Sequence, residues 1–198
     1  MLRVIAWFAL LVGAGSPWAG EPAQRSAAEV MDIVMWNREP VGGPFALIDP
    51  AGKRRTDVDF RGKLLLVYFG YMYCPDICPT DLLQMGLAVK KLGKAGDSVQ
   101  PLFITLDPER DTPEKLAAYV HSFHPRFVGL GGPPAAIRQA ADAYKVYYRK
   151  VVSAGQAGYS VDHTAFIYLM DRKGQYLGFF PPGTSAERMV EIIRPQLR

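Results

Sequence analysis

One continuous stretch, residues 64–80, reads LLLVYFGYMYCPDICPT. Its first part, residues 64–69, is an apolar run rich in branched and aromatic side chains, which predicts a strand buried on both faces. Cys74 and Cys78 follow closely, and Pro79 then stands where the first residue of a helix tolerates proline. The stretch therefore predicts a buried strand, a turn that carries two cysteines, and a helix over about residues 79–93.

The segments on either side of this unit carry strand and helix patterns. Upstream, residues 45–49 and 55–58 flank Pro50-Ala51-Gly52, which predicts a β-hairpin. Downstream, the patterns predict strand 102–106, helix 113–121, strand 127–130, helix 135–144, strands 146–151, 164–170 and 175–180, and helix 186–197. This order predicts an α/β sandwich with a mixed sheet.

The element order resembles the thioredoxin plan, in which paired cysteines lie between the first core strand and the next helix. The resemblance implies a thioredoxin-like sandwich with a mixed central sheet, to which the N-terminal β-hairpin is added. Thioredoxin-like chains also tend to place a cis-proline opposite the cysteines, just before an apolar strand. In this sequence His163 stands at the corresponding point. Imidazole binds metal ions, which proline cannot do.

The size and charge of the chain limit the classes of function. The 198 residues suffice for one well-packed domain. The formal net charge is +4, but the basic residues are scattered among 19 acidic ones, and the densest basic cluster is residues 53–55. This pattern argues against a nucleic-acid partner and is compatible with an acidic partner or a membrane surface.

The N-terminus has the pattern of an export signal. Arg3 precedes an apolar run over residues 4–14, and small and polar residues follow it. The run is shorter than the roughly 20 residues of a membrane span, but Pro17 and Trp18 make a poor cleavage site, so an uncleaved anchor stays open. We expect residues 1–20 to be a signal peptide or membrane anchor, 21–40 a tether with a short helical patch, and 41–198 the domain. The expected location is periplasmic, free or anchored to the inner membrane.

The cysteine pair indicates redox activity or metal binding rather than a purely structural disulfide. Cys74 and Cys78 are the only cysteines in the sequence, and a disulfide across so short a loop would contribute little stability. With Cys78 at or near the helix cap, the helix N-terminus favours thiolates, which act both as nucleophiles and as metal ligands. The pair is therefore predicted to be redox-active, able to close into a disulfide, or to bind a metal.

Together with His163, the cysteines offer two thiolates and one imidazole, a set that suits copper. A structural zinc site usually has four ligands, and the sequence has no second cysteine pair. Disulfide oxidoreductases of this fold usually have two residues between their cysteines, whereas this chain has three. Asp111 or Asp162, with Asp76 as a competitor, could orient the His163 ring; Asp111 could instead cap or pair near the second helix.

Three separate blocks, residues 68–79, 106–114 and 161–166, resemble the signatures of the SCO/SenC copper proteins, in the order of that family. The resemblance covers about residues 40–197 and implies that Cys74, Cys78 and His163 are copper ligands. It also implies copper delivery to the binuclear copper centre of cytochrome c oxidase, or reduction of that centre's cysteines. We therefore expect an exported metallochaperone rather than an enzyme. A periplasmic thiol–disulfide oxidoreductase and a copper or redox sensor are the alternatives.

Overall fold

The structure, a computed structural model, describes residues 27–36, 38–152 and 158–197. Its helices are α1 (Ala27–Trp36), α2 (Ile77–Lys91), α3 (Pro113–Phe123), α4 (Pro134–Ala143) and α5 (Ala186–Ile193). Its strands are β1 (Ala46–Ile48), β2 (Arg54–Thr56), β3 (Leu64–Gly70), β4 (Val99–Thr105), β5 (Val128–Leu130), β6 (Tyr148–Val151), β7 (Ser160–His163), β8 (Ile167–Met170) and β9 (Tyr176–Phe180). Short 3₁₀ turns cover Asp57–Phe60, Gly93–Ser98 and Arg194–Leu197.

A mixed sheet of five strands, in the order β5-β4-β3-β8-β9, forms the centre of the molecule. Strand β3 pairs in parallel with β4 and antiparallel with β8, and all seven of its residues are buried. Because successive side chains point to opposite faces, Tyr68 faces Cys78 on α2, whereas Phe69 packs on Tyr144 at the end of α4. Helices therefore cover both faces of the sheet, and the predicted thioredoxin-like α/β sandwich is confirmed.

The N-terminal hairpin is also confirmed. Strands β1 and β2 pair antiparallel, with Leu47 opposite Arg55. Ile48 exchanges two backbone hydrogen bonds with Gly131, which directly follows β5, at N···O distances of 2.8 and 2.9 Å. The hairpin is thus attached beyond the β5 edge of the central sheet, where it satisfies backbone groups that an open edge would expose.

The region before β8 differs from the prediction of one strand over residues 164–170. Strand β8 begins only at Ile167, and residues 160–163 form β7, which pairs antiparallel with β6 in a separate two-stranded sheet. The break follows from Thr164, whose N–H and Oγ1 both bond back to the Tyr147 backbone rather than to the central sheet. His163 therefore ends a hairpin, here called the β6–β7 hairpin, outside the central sheet.

Helix α2 begins two residues earlier than predicted, at Ile77, so Cys78 lies inside its first turn instead of at the cap. Pro79 is then the third helical residue. It is still tolerated there, because the N–H groups of the first turn have no partner within the helix. As a residue of the first helical turn rather than of the cap, Cys78 is fully buried.

The predicted helical patch upstream of the domain is α1. Ile33 and Val34 on this helix are buried, and the Tyr176 hydroxyl on β9 donates a 2.9 Å hydrogen bond to the Val34 carbonyl. The C-terminal half of α1 therefore packs on the domain, although the segment was expected to be a tether. The predicted signal or anchor at residues 1–20 lies outside the described residues. In the part of the chain that the structure describes, no helix has the length and apolar composition of a membrane span.

Candidate metal centre

The fold brings Cys74, Cys78 and His163 together at one end of β3. Cys74 lies in the turn after β3, Cys78 in the first turn of α2, and His163 at the end of β7. Their sulfur and nitrogen donor atoms all lie within 4.8 Å of one another. Cys78 is buried, while Cys74 and His163 are partly exposed. The site is thus closed at its base and open on one side.

Backbone groups hold the cysteine turn in shape. The Cys74 N–H donates to the Tyr71 carbonyl at 3.3 Å, and the Cys78 N–H points at the Cys74 Sγ atom at 3.5 Å. Asp76 precedes α2 but its side chain caps no helical N–H. The Cys74 sulfur therefore accepts a hydrogen bond from one of the free N–H groups at the start of the helix, where negative charge is favoured.

The two cysteines have opposite acid–base character. A hydrogen bond from the Cys78 thiol lowers the pKa of Cys74 to about 3, and hydrogen bonds from backbone N–H groups act in the same direction against the effect of burial. The same Cys74–Cys78 hydrogen bond, followed by burial, raises the pKa of Cys78. Without a metal, Cys74 is therefore the thiolate and Cys78 the thiol that donates to it.

The ring of His163 is held with one nitrogen free. Its Nδ1 atom lies 3.1 Å from the Thr164 carbonyl oxygen, which can only accept, so Nδ1 carries the proton. Nε2 then keeps its lone pair and faces the Cys78 Sγ atom at 3.5 Å. The rings of Tyr68 and Tyr71 meet the imidazole at near right angles, with centroids 6.3 and 6.0 Å away. An Nδ1–H bonded to a carbonyl is the usual arrangement of a histidine that binds metal through Nε2.

These donors fit a copper ion. Two sulfurs and one unprotonated imidazole nitrogen converge on one space, and thiolate ligands select Cu(I) while imidazole accepts either oxidation state. Within the ranges that the structure describes, no fourth Cys, His, Asp or Glu joins this group, as a closed structural zinc site would require. Metal binding would also displace the Cys78 thiol proton, because the thiolate is the ligand.

Comparison with known proteins agrees with this geometry. Residues 35–198 match the family described as SCO1/SenC. The chain belongs to the SCO1/SenC family. Among the relatives of this SCO1/SenC chain, a SCO2-like protein of Rickettsia prowazekii is 36% identical over 197 residues, which cover 97% of this chain and 95% of that protein.

Solved structures of the same family share its fold. The copper-bound ScoI of Arabidopsis thaliana superimposes with a TM-score of 0.75 at 38% identity, covering 80% of this chain and 98% of that one. The copper-bound ScoI of Bradyrhizobium japonicum gives a TM-score of 0.73 at 42% identity, with 79% and 99% coverage. Both superpositions cover most of the described domain.

The acidic residues predicted to orient His163 have other polar partners in this SCO1/SenC chain. Asp111 is buried, and its Oδ2 atom accepts hydrogen bonds from the Met72 N–H at 3.1 Å and the Thr105 hydroxyl at 2.6 Å. Asp162 is exposed and pairs with Arg149 at 3.2 Å. The orienting contact that the structure gives to the imidazole is the Thr164 carbonyl. A role for Asp111 or Asp162 toward His163 stays a prediction.

Several groups around the site were not identified from the sequence. Tyr68 and Gly70 lie on the face of β3 that meets Cys78, and a Cβ atom added to Gly70 would lie 2.9 Å from the Cys78 Sγ atom. The period of two along β3 could have indicated both residues. The loop after β4 contributes Arg110, whose guanidinium lies over the ring of Tyr159 with its Cζ atom 3.7 Å from the centroid. No sequence spacing predicts that contact.

Asp81, one turn into α2, is a buried carboxyl group behind the site. Its Oδ1 atom accepts a 2.8 Å hydrogen bond from the Gly183 N–H, and its Oδ2 atom has no hydrogen-bond partner among the described residues. Burial raises the pKa of Asp81, although the Gly183 hydrogen bond opposes that effect. A carboxylate left half unpaired in the core costs stability whenever it is charged.

Proposed function

We propose that this SCO1/SenC protein binds copper through Cys74, Cys78 and His163 and delivers it to another protein. The observation that carries the proposal is the convergence of two sulfurs and one free imidazole nitrogen within 4.8 Å. The copper-bound ScoI structures of two family members support it. The proposed recipient is the binuclear copper centre of cytochrome c oxidase, as the resemblance of the three sequence blocks implies.

The unequal exposure of the three donors suits transfer. Cys74 and His163 are partly exposed, whereas Cys78 is buried. Incoming ligands of a recipient protein can therefore replace the two accessible donors first, and the Cys78 sulfur is released last. Exchange of one ligand at a time keeps the ion bound throughout the transfer, so it is never released into water.

Copper titration of the reduced full-length protein tests the proposal. We expect one copper ion per chain, with a thiolate-to-Cu(II) charge-transfer absorption that is lost in His163→Ala. Competition with a chelator should show copper binding at least about tenfold weaker in this variant, or about 1.4 kcal/mol. His121→Ala, at an exposed histidine on α3, is the matched control and should match the parent. Equal affinity of His163→Ala and the parent would contradict the three-ligand site.

A second candidate function, thiol–disulfide exchange, is supported by the contrast between the two cysteines. The accessible Cys74 thiolate would attack a disulfide of the target and displace one target thiolate, which leaves a mixed disulfide. Cys78 would then lose its proton and attack the Cys74 sulfur, which releases the second target thiolate. Cys74 and Cys78 are oxidised to a disulfide, and the target is reduced by two electrons.

Disulfide reduction by the metal-free protein distinguishes copper delivery from thiol–disulfide exchange. Rapid reduction of a target disulfide in the presence of a chelator, retained in His163→Ala, would favour exchange as the main activity. The chaperone proposal expects slow reduction under these conditions and a strong dependence of copper binding on His163. Both assays use the same variants, so one set of proteins decides between the two.

We also propose that residues 1–20 direct export to the periplasm. The support is the sequence pattern of Arg3 followed by the apolar run over residues 4–14. A reporter enzyme that is active only outside the cytoplasm, fused to the C-terminus of the full chain, should be active. The same fusion without residues 2–20 should be inactive, and activity of both fusions would contradict the proposal.

A further inference from the structure

We propose that Arg110 is a positioning residue that fastens the β6–β7 hairpin, and with it His163, to the cysteine side of the site. The part of this inference that concerns copper rests on the proposed function, whereas the part that concerns the hairpin does not. Arg110 lies in the loop between β4 and α3 and is 24% exposed through its side chain.

The hairpin needs such a fastening because it stands apart from the main backbone ladder. Within the described residues, strands β6 and β7 pair only with each other, while β3 and β8 belong to the five-stranded sheet. At the His163 end, Thr164 bonds to the Tyr147 backbone within the hairpin itself. Apart from the short connection of residues 164–166 to β8, the position of His163 relative to the cysteines therefore depends on side-chain contacts between the hairpin and the core.

Arg110 makes two contacts with Tyr159, the residue before β7. Its guanidinium lies over the Tyr159 ring, with the Cζ atom 3.7 Å from the ring centroid, and its Nη1 atom donates a 2.8 Å hydrogen bond to the Tyr159 carbonyl. A neighbouring ion pair, between Lys150 on β6 and Glu109, joins the same loop to the other strand at 2.6 Å. The loop after β4 thus contacts both β6 and the residue that leads into β7.

The same guanidinium contacts the segment that leads into the cysteine turn. Its Cζ atom lies 5.8 Å from the centroid of the Tyr71 ring and 4.9 Å from that of Tyr73, the residue before Cys74. The Tyr71 ring in turn meets the His163 ring edge-on, with centroids 6.0 Å apart. Arg110 therefore lies among three tyrosines, one from the hairpin and two from the cysteine segment.

A buried carboxylate fixes Arg110 in this position. Asp107 has no exposed side-chain surface and accepts a hydrogen bond from the Arg110 Nε atom. Its other oxygen accepts a 2.6 Å hydrogen bond from the Tyr159 hydroxyl. Asp107 therefore binds both partners of the stack. Only arginine combines a permanent charge, several fixed donors and a flat surface that stacks on aromatic rings.

Two variants test the proposal in the full-length protein without leaving a buried charge unpaired. Arg110→Lys keeps a cation beside Asp107 but has no planar group to stack. Tyr159→Leu removes the hairpin's ring and leaves the Arg110–Asp107 pair intact. Arg188→Lys is the matched control, because Arg188 forms an exposed pair with Glu191 far along the chain on α5.

Hydrogen exchange of the metal-free, reduced protein is the first readout. We expect the amides of β7 to exchange at least about tenfold faster in both variants, while the amides of β3 keep their protection. Copper affinity, measured by chelator competition, is the second readout, and we expect it to fall about tenfold, as for other partners that orient a metal ligand. Arg188→Lys should match the parent in both readouts.

Parental exchange rates in β7 for both Arg110→Lys and Tyr159→Leu would overturn the proposal. If instead the proposed copper-binding function were wrong, the parent would bind no copper, while the β7 amides of the two variants would still exchange hydrogen faster than those of the parent. A merely structural role for Arg110 would speed exchange in β3 and β7 alike, and that result would also overturn the proposal.

Discussion

The Nε2 atom of His163 lies 3.5 Å from the Sγ atom of Cys78, although 85 residues separate them along the chain. The two atoms come from different structural units, the β6–β7 hairpin and the first turn of α2. The orientation of the imidazole is fixed, because the Thr164 carbonyl accepts a hydrogen bond from Nδ1 and so keeps the ring proton on that atom. Nε2 is left to face the buried sulfur, and this pair forms the inner half of the candidate copper site.

Replacing Cys78 should raise the pKa of Cys74. The hydrogen bond from the Cys78 thiol is the largest cause of the low pKa of Cys74, and Cys78→Ala removes that donor. Cys78→Ser keeps an O–H donor and is the matched control. We expect alkylation of the metal-free protein at about pH 5 to be fast for the parent and Cys78→Ser and much slower for Cys78→Ala. Equal rates for all three proteins would show that the helix start, not Cys78, stabilises the thiolate.

Gly70→Ala should destabilise the protein and disturb the site. The added methyl group would lie 2.9 Å from both the Cys78 Sγ atom and a ring carbon of Tyr68, so a buried neighbour has to move. We expect a loss of about 1–3 kcal/mol in the free energy of unfolding, measured with urea on the reduced metal-free protein. Copper binding should also weaken, because the displaced group is a proposed ligand.

Gly131→Ala is the control for this substitution. A Cβ atom there would be 3.4 Å from its nearest neighbour, the Thr105 Cγ2 atom, which is ordinary contact. If Gly70→Ala and Gly131→Ala were equally stable, close packing at Gly70 would have no energetic importance.

Asp81→Asn should change how stability depends on pH. Burial raises the pKa of Asp81 above its unfolded value of about 3.9, so the folded state binds the proton more tightly. In the parent, the contribution of Asp81 to the free energy of unfolding is therefore greatest at a pH below the pKa that Asp81 has in the unfolded chain. This contribution is lost as the pH rises through the higher pKa that Asp81 has in the folded protein. Asparagine has no charge to bury and keeps an acceptor for the Gly183 N–H.

The free energy of unfolding of Asp81→Asn, minus that of the parent, should therefore increase from about pH 4 toward neutral pH. Urea unfolding at several pH values measures the difference, and Asp142→Asn, at an exposed site on α4, is the control. A pH-independent difference for Asp81→Asn would mean that Asp81 has the same pKa in both states.

Replacement of Asp111 by alanine should lower the free energy of unfolding much more than replacement of Asp162. Asp111→Ala leaves the Met72 N–H and the Thr105 hydroxyl without their acceptor in a buried place, which should cost about 1–3 kcal/mol. Asp162→Ala breaks only an exposed pair with Arg149 and should cost less than about 1 kcal/mol. Urea unfolding of the metal-free proteins measures both.

Copper binding by the same two variants addresses the predicted orientation of His163. We expect Asp162→Ala to retain the parental charge-transfer spectrum, because the Thr164 carbonyl already orients the ring. A shifted spectrum for Asp162→Ala would instead favour the role that the sequence suggested for this carboxylate.

The sequence predicted the three donors, since thiols and imidazoles are rare groups whose position in the element order can be read directly. It did not predict the β6–β7 hairpin, because in Ser160–His163 only Val161 is buried and no clear alternation marks a strand. The Thr164 carbonyl could not be singled out either, since every residue carries such a group. Arg110 was missed for a related reason, because its three tyrosine partners come together only in the folded chain.

The separate hairpin divides the site between regions of different local stability. The two sulfurs lie in α2 and in the turn that joins the buried strand β3 to it, whereas the imidazole belongs to a small appended sheet. Subglobal opening of such a unit costs less free energy than global unfolding. The coordination number at the site can thus fall from three to two by a local fluctuation, so the rate of metal release is set independently of the lifetime of the folded protein.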